Sequence, residues 1–194
     1  MINIMARTID AIQTIYDGIT YRSRTEARWA VFFKELSLDF KYEQERIEFE
    51  DGTTYLPDFY IEDFDCYFEV KGNDDNLVIE EAKKAKQLSL TGTKVLLAIG
   101  APSPVTPNIL YLNRTDGLKI EQILEDPDYR GRIMEDRRDE EVYWFSSEQK
   151  DTGSFSSICA LSKPNPSWTD HGRYPLIHNK VQVAYEKAQN YKFE

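Results

Sequence analysis

Cysteine and histidine are scarce in this chain, with two of each among 194 residues. Cys66 and Cys159 stand alone, and His171 and His178 lie near only one another, so the roughly four clustered ligands of a structural zinc site are missing. The thiols are expected to be free and buried, in a reducing compartment. No apolar run approaches the roughly 18 residues that cross a bilayer, and the opening MINIMARTIDAIQ lacks a secretory core. A cytoplasmic protein with no membrane partner is therefore expected. Positive charge is also short. Lys and Arg number 24 against 34 Asp and Glu, a net charge of −10, whereas most DNA-binding domains carry a basic surface that neutralises phosphate. No internal repeat, P-loop, GxGxxG or Ser/His/Asp arrangement is present.

What is present describes an ordinary folded chain, 41% hydrophobic and 30% charged. Its length suits one well-cored domain spanning residues 1–194. Acidic residues crowd Glu43 to Asp65 and Glu121 to Glu141, while basic ones gather at Arg22, Arg24 and Arg28 and at Lys83, Lys84 and Lys86. A basic rim on an acidic body would still allow DNA to bind. An acidic protein also suits a partner-binding or DNA-mimicking role.

After an amphipathic lead-in over residues 1–18, the apolar spacing predicts a helix from Ser23 through Leu38. Ser23 and Glu26 form the capping-box pattern S-x-x-E. Phe40 to Glu50 alternates and predicts a first core strand, with Glu43, Glu45 and Glu48 facing solvent. Asp51-Gly52 turns it into a hairpin that delivers Asp58. Strands are expected from about Pro57 through Ile61 and over Cys66 to Lys71. Asn73, Asp74 and Asp75 can cap a helix over Leu77 to Leu90, in which Glu80 and Lys84 are spaced to pair. The continuous apolar run Thr93 to Gly100 predicts a strand covered on both faces. Farther on, the pattern suggests a proline-rich loop over Ala101 to Asn108 and a short strand at Ile109 to Leu112. It then suggests a broken helix over Glu121 to Glu141 and strands at Val142 to Phe145 and Phe155 to Leu161. A Pro, Asn and Gly-rich connection from Ser162 to Tyr174 leads to a last helix from about Ile177 to Tyr191. Trp144, Phe145 and Trp168 are either core or a base-stacking surface.

The chemistry is concentrated in TYLPDFYIEDFDCYFEVKG. Alternation puts Glu69 and Lys71 on one face of their strand, with Phe68 and Val70 on the other, and Asp58 can sit opposite on the adjacent strand. Two carboxylates converging on one point repel unless a cation lies between them, and hard oxygen donors suit Mg²⁺ or Mn²⁺. A lysine beside the ion can orient or deprotonate the attacking water, or stabilise charge developing on phosphate.

Pro57-Asp58 followed by Glu69-Val70-Lys71 resembles the signature of the PD-(D/E)XK nuclease superfamily, and YRSRTEARWAVFFKEL resembles its acidic first helix. From about Ile19 to Gly100 the chain is similar to small nuclease-like proteins of phages and prophages and to the TnsA-type catalytic domain. The resemblance implies an αβββαβ restriction-endonuclease-like core with a central mixed sheet flanked by helices over about residues 19–112. A C-terminal extension of strands and a terminal helix then occupies about residues 113–194. It implies a Mg²⁺-dependent DNA endonuclease (Mn²⁺ being the alternative ion) with Asp58, Glu69 and the Val70 carbonyl holding the metal. Lys71 would position water and Glu26 would support the site. The products would be a 5′-phosphate and a 3′-hydroxyl. Arg22, Arg24 and Arg28 are candidates for a phosphate clamp or for a solvated face. Lys83, Lys86 and Gln87 on the second helix are secondary candidates for DNA contacts, a plain solvated helix face being the favoured reading. The implied partners are DNA, a recognition or recombination protein, and a second copy of the chain, inside a bacterial host if the origin is a phage. Two other readings stay open: a non-catalytic nuclease fold used for binding or inhibition, and a nuclease subunit silent without its partner.

Overall fold

The computed structural model describes residues 11–72, 75–114, 117–136, 142–148, 155–160 and 179–194. The chain opens with a hairpin of β1 (Thr14–Tyr16) and β2 (Ile19–Tyr21), turned at Asp17 and Gly18, both at positive φ. Helix α1 (Arg24–Glu35) follows. Ser23 is its N-cap, in extended conformation, with Oγ accepting from the Glu26 amide at 3.1 Å. The sequence pattern assigns no element to the lead-in. Its Asp-Gly pair between apolar residues is the hairpin signal.

The expected strand over 40–50 is two strands. β3 (Phe40–Tyr42) ends where Glu43 takes a left-handed conformation, φ 47, and donates its amide to the Asp58 carbonyl at 2.8 Å. β4 (Ile47–Glu48) then pairs with β5 (Thr54–Tyr55) in a separate ribbon turned at 51–52. Next come β6 (Phe59–Ile61), β7 (Cys66–Lys71), α2 (Asp75–Ser89), β8 (Lys94–Ile99) and β9 (Ile109–Tyr111). The charged segment expected to be a broken helix is instead a short α3 (Ile120–Glu125), a turn at Pro127–Tyr129, and strand β10 (Arg130–Asp136). Sheet pairing outweighs its helix-like composition, because β10 fills the place between β9 and β11 (Val142–Glu148) and buries Ile133. β12 (Phe155–Ala160) and α4 (Asn179–Asn190) complete the described elements.

Eight strands form one sheet in the order β12-β11-β10-β9-β8-β7-β6-β3. β7 and β8 are parallel neighbours joined across α2, and the other neighbours are antiparallel. Alternation along β8 assigns its residues to two cores. Leu96 and Ala98 join α1, α4, Phe59, Phe68 and Val70 on one face. Val95 and Leu97 join Ala82, Ala85 and Leu88 of α2 and Ile120 and Ile123 of α3 on the other. The architecture is thus mixed α/β, a central mixed sheet flanked by helices.

On the first face Phe32 of α1 meets Tyr185 of α4 with ring centroids 4.4 Å apart, and Lys187 reaches Glu35 at 2.6 Å. Arg28 donates to the Ala188 and Gln189 carbonyls at the end of α4 and lies 5.6 Å from the Phe193 ring. Cys66 is buried, and its thiol donates to the Tyr67 carbonyl at 3.2 Å. Trp144 and Phe145 pair with Ala160 and Cys159 across β11 and β12. Asn73, Asp74, Trp168, His171, His178 and the 162–174 connection lie outside the described residues. No helix among the described residues is long and apolar enough to cross a membrane.

Candidate functional site

Asp58, Glu69 and Lys71 meet where β6 and β7 lie side by side. β7 runs over the residues its alternation predicted. Its Phe68 and Val70 side chains go into the α1 core, which turns Glu69 and Lys71 to the opposite side. Asp58 sits one residue before β6, whose Phe59 is in register with Phe68. The end of β7 is anchored, since the Lys71 carbonyl accepts the Gly100 amide at 2.6 Å and the Gly100 carbonyl accepts Trp29 Nε1 of α1 at 2.9 Å.

The two carboxylates are almost wholly removed from solvent, at 1% and 2% exposure. Each has one oxygen held by neutral donors and one facing a cationic side chain. Asp58 Oδ2 accepts the Val70 amide at 2.7 Å, while Oδ1 meets Arg22 Nη2 at 2.5 Å. Glu69 Oε2 accepts Tyr55 Oη at 2.7 Å and the Asp58 amide at 3.2 Å, while Oε1 meets Lys71 Nζ at 2.6 Å. Lys71 also contacts Glu81 of α2 at 2.5 Å, and Arg22 Nε contacts Glu43 at 2.7 Å.

Burial sets the electrostatics here. Desolvation, then the neighbouring Glu69 charge, push the Asp58 carboxyl well above the usual carboxylate range, with Lys71 and the Val70 amide pulling the other way. Burial likewise raises Glu69 against the opposing pull of Lys71, Tyr55 and the Asp58 amide. Burial opposes the Lys71 charge, yet Glu69 and Asp58 more than offset it and raise the amine above its ordinary value. Lys71 therefore stays protonated, and the pair of carboxylates favours bound positive charge.

Glu26 is buried but touches neither carboxylate. Its Oε1 accepts Ser23 Oγ at 2.7 Å, and its Oε2 accepts Tyr42 Oη at 2.5 Å and the Arg22 amide at 3.1 Å. The Arg22 amide also donates to Tyr42 Oη at 3.0 Å. Ser23 caps the helix, but Glu26 takes the Arg22 amide in place of the N-cap amide that a capping box would use, and so fixes the backbone from which Arg22 reaches Asp58.

The remaining basic candidates are placed elsewhere. Arg22 stands inside the carboxylate cluster, half exposed, so it is not part of an open basic face. Arg28 is occupied by the end of α4, which removes it from a phosphate clamp, and among the described residues no hydrogen bond or ion pair links Arg24 to the carboxylates. Lys83 pairs with Glu80 at 2.8 Å in place of the expected Lys84, Lys86 is buried and donates to the Leu112 carbonyl, and Gln87 reaches Asp51 at 3.5 Å. These three line an open hollow of about 540 Å³ on a different face of α2. The face of α2 turned to the site carries Glu81 and Lys84, because Ala82, Ala85 and Leu88 dock on the sheet and fix the helix phase. Glu43, expected in solvent, pairs with Arg22, and Glu45 accepts Tyr67 Oη at 2.5 Å.

Tyr55, Tyr42 and Glu81 belong to the site without any motif that marks them. Each reaches it from an element whose position depends on tertiary packing.

Among the described residues no three Asp, Glu, His or Cys side chains stand grouped as metal ligands. The donor chemistry nonetheless suits a hard divalent cation. Two buried carboxylates each keep one oxygen on a positive group, and the one on Asp58 belongs to a half-exposed, displaceable guanidinium. No family model, curated protein or solved structure matches this chain.

Proposed function

We propose that this chain is a Mg²⁺-dependent DNA endonuclease of the PD-(D/E)XK type, from a phage or mobile element. The observation that carries the reading is the buried Asp58/Glu69 pair beside a protonated Lys71, with Glu69 and Lys71 lining a cleft of about 180 Å³ and Asp58 buried behind them. The order α1, β3, β6, β7, α2, β8 supports a restriction-endonuclease-like αβββαβ core, with β4 and β5 as an inserted hairpin.

Asp58 Oδ1, Glu69 Oε1 and the Val70 carbonyl would hold the ion. When bound, Mg²⁺ or Mn²⁺ supplies Lewis acidity toward the phosphate and lowers the pKa of an attacking water. Lys71, kept charged by Glu69 and Glu81, orients that water and stabilises negative charge developing on the phosphate, and does not accept its proton. Glu26 acts at one remove, through Tyr42 and the Arg22 backbone. In-line attack by water on phosphorus would break the bond to the 3′-oxygen, the water releasing its proton to solvent and the departing oxygen taking one from solvent, to leave a 5′-phosphate and a 3′-hydroxyl.

Asp58→Ala, Glu69→Ala and Lys71→Ala should each abolish Mg²⁺-dependent cleavage of single-stranded, duplex and branched DNA while the circular dichroism of the fold persists. Cleavage retained by Glu69→Ala removes the metal assignment. One observation favours a second reading. Because Arg22 and Lys71 already neutralise both carboxylates, the fold can stand as a non-catalytic binding protein or as a subunit awaiting a recognition partner. Titration calorimetry separates these: no Mg²⁺ or Mn²⁺ binding supports the binding protein, and metal binding without cleavage supports the partner-dependent subunit.

A further inference from the structure

The cleft over Glu69 and Lys71 has two walls. One is the β4–β5 hairpin, whose Phe49 and Tyr55 pack with Ala82 and Ala85 of α2, and whose Asp51 meets Gln87. The other is α2 itself. Four cationic side chains line the cleft, Arg22, Arg46, Lys71 and Lys84, against two carboxylates, Glu69 and Glu81. Arg22 is held by Asp58 and Glu43, and Lys71 by Glu69 and Glu81. Arg46, just before β4, and Lys84, three residues beyond Glu81, have no carboxylate within 4.0 Å among the described residues, and both are exposed. Arg22 and Lys71 are matched by the four carboxylates that hold them, so Arg46 and Lys84 are the positive charges left without an ion pair among the described cleft residues, on a chain whose net charge is −10. In an acidic protein, cations left without partners at the rim of a cleft set the local field there and attract anions.

We propose that Arg46 and Lys84 are a two-point binding site for the phosphodiester backbone of a DNA strand, one cation on each wall, guiding the strand across Glu69 and Lys71. The choice of DNA rests on the nuclease reading above, whereas the anion site rests on the unpartnered charges. Arg46 offers a planar fork that suits bidentate phosphate contact, and Lys84 a point charge. The expected contacts carry no base information and should be strongly salt-dependent.

The test is fluorescence anisotropy of labelled single-stranded and duplex DNA in EDTA. It compares the wild type with Arg46→Gln/Lys84→Gln and with Lys192→Gln, an exposed lysine far along the chain. The double variant should bind at least about tenfold more weakly. On duplex its salt slope should be shallower by about two phosphate contacts, each worth about 0.9 in log affinity per log salt. Lys192→Gln should match the wild type. A double variant with wild-type affinity and slope overturns the site, as does a wild type that binds neither DNA. Cleavage in Mg²⁺ is scored separately. Cutting with normal binding by the double variant defeats this site alone, and binding that depends on Arg46 and Lys84 without any cutting defeats only the reading of this chain as a nuclease active by itself.

Discussion

Arg22 Nη2 lies 2.5 Å from Asp58 Oδ1, the Asp58 oxygen left over once Val70 has bound the other. A guanidinium there holds the place a metal ion would take, so the two compete for one oxygen. Arg22→Gln should therefore raise affinity for Mg²⁺ and Mn²⁺ about tenfold, a gain of about 1.4 kcal/mol, as measured by titration calorimetry. Unchanged or weaker binding would show that the cation does not use Asp58 Oδ1.

Asp58→Asn removes a carboxylate that burial and Glu69 hold above its unfolded pKa. An acid with a raised folded pKa is bound more tightly by its proton in the native state. Its stability is fully present below the unfolded pKa, about 4, and is lost as pH rises toward the folded value. Without divalent metal, the variant should match the wild type near about pH 4 and be the more stable of the two at about pH 7. Urea unfolding at the two pH values checks this, and a variant less stable at both would refute it.

Tyr55→Phe keeps the ring and deletes the hydroxyl that Glu69 Oε2 accepts at 2.7 Å. One neutral donor, the Asp58 amide, then remains on that buried oxygen. The variant should lose about 1–3 kcal/mol in chemical denaturation. No loss would mean that Lys71 and the Asp58 amide hold Glu69 without help from the Tyr55 hydroxyl.

Arg28→Ala should fray the end of α4 and cost about 1–2 kcal/mol, since two terminal carbonyls lose their donor and Phe193 its cation. Faster hydrogen exchange over Asn179–Asn190, with the salt slope of DNA binding unchanged, is the expected pair of results. A shallower slope would restore Arg28 to a phosphate contact.

Local patterning made much of the site legible. Alternation over Cys66 to Lys71 placed Glu69 and Lys71 together, Ser23 marked the start of α1, and the apolar run 93–100 indicated a strand covered on both faces. What escaped depends on distant parts of the chain. The break at Glu43 is set by its hydrogen bond to Asp58, and Arg28 is occupied by carbonyls 160 residues away. Charge density made 121–141 look helical, but the ladder with β9 and β11 decides β10. The basic face of α2 was misjudged by rotation alone. Ala82, Ala85 and Leu88 set the phase that turns Lys84, and not Lys83 or Lys86, to the carboxylates.

The packing of α4 on α1 has a consequence for how the protein comes into being. The Lys187–Glu35 link spans 152 residues, so the helix that carries Glu26 leaves the ribosome long before its cover is translated. Until then the Phe32 side of α1 lacks Tyr185, and a nascent chain that already contains Asp58, Glu69 and Lys71 exposes an aromatic surface to its surroundings. Order of synthesis and order of completion run in opposite directions. Of the described helices, α1 is made first and is covered only once α4, the last of them, has been made.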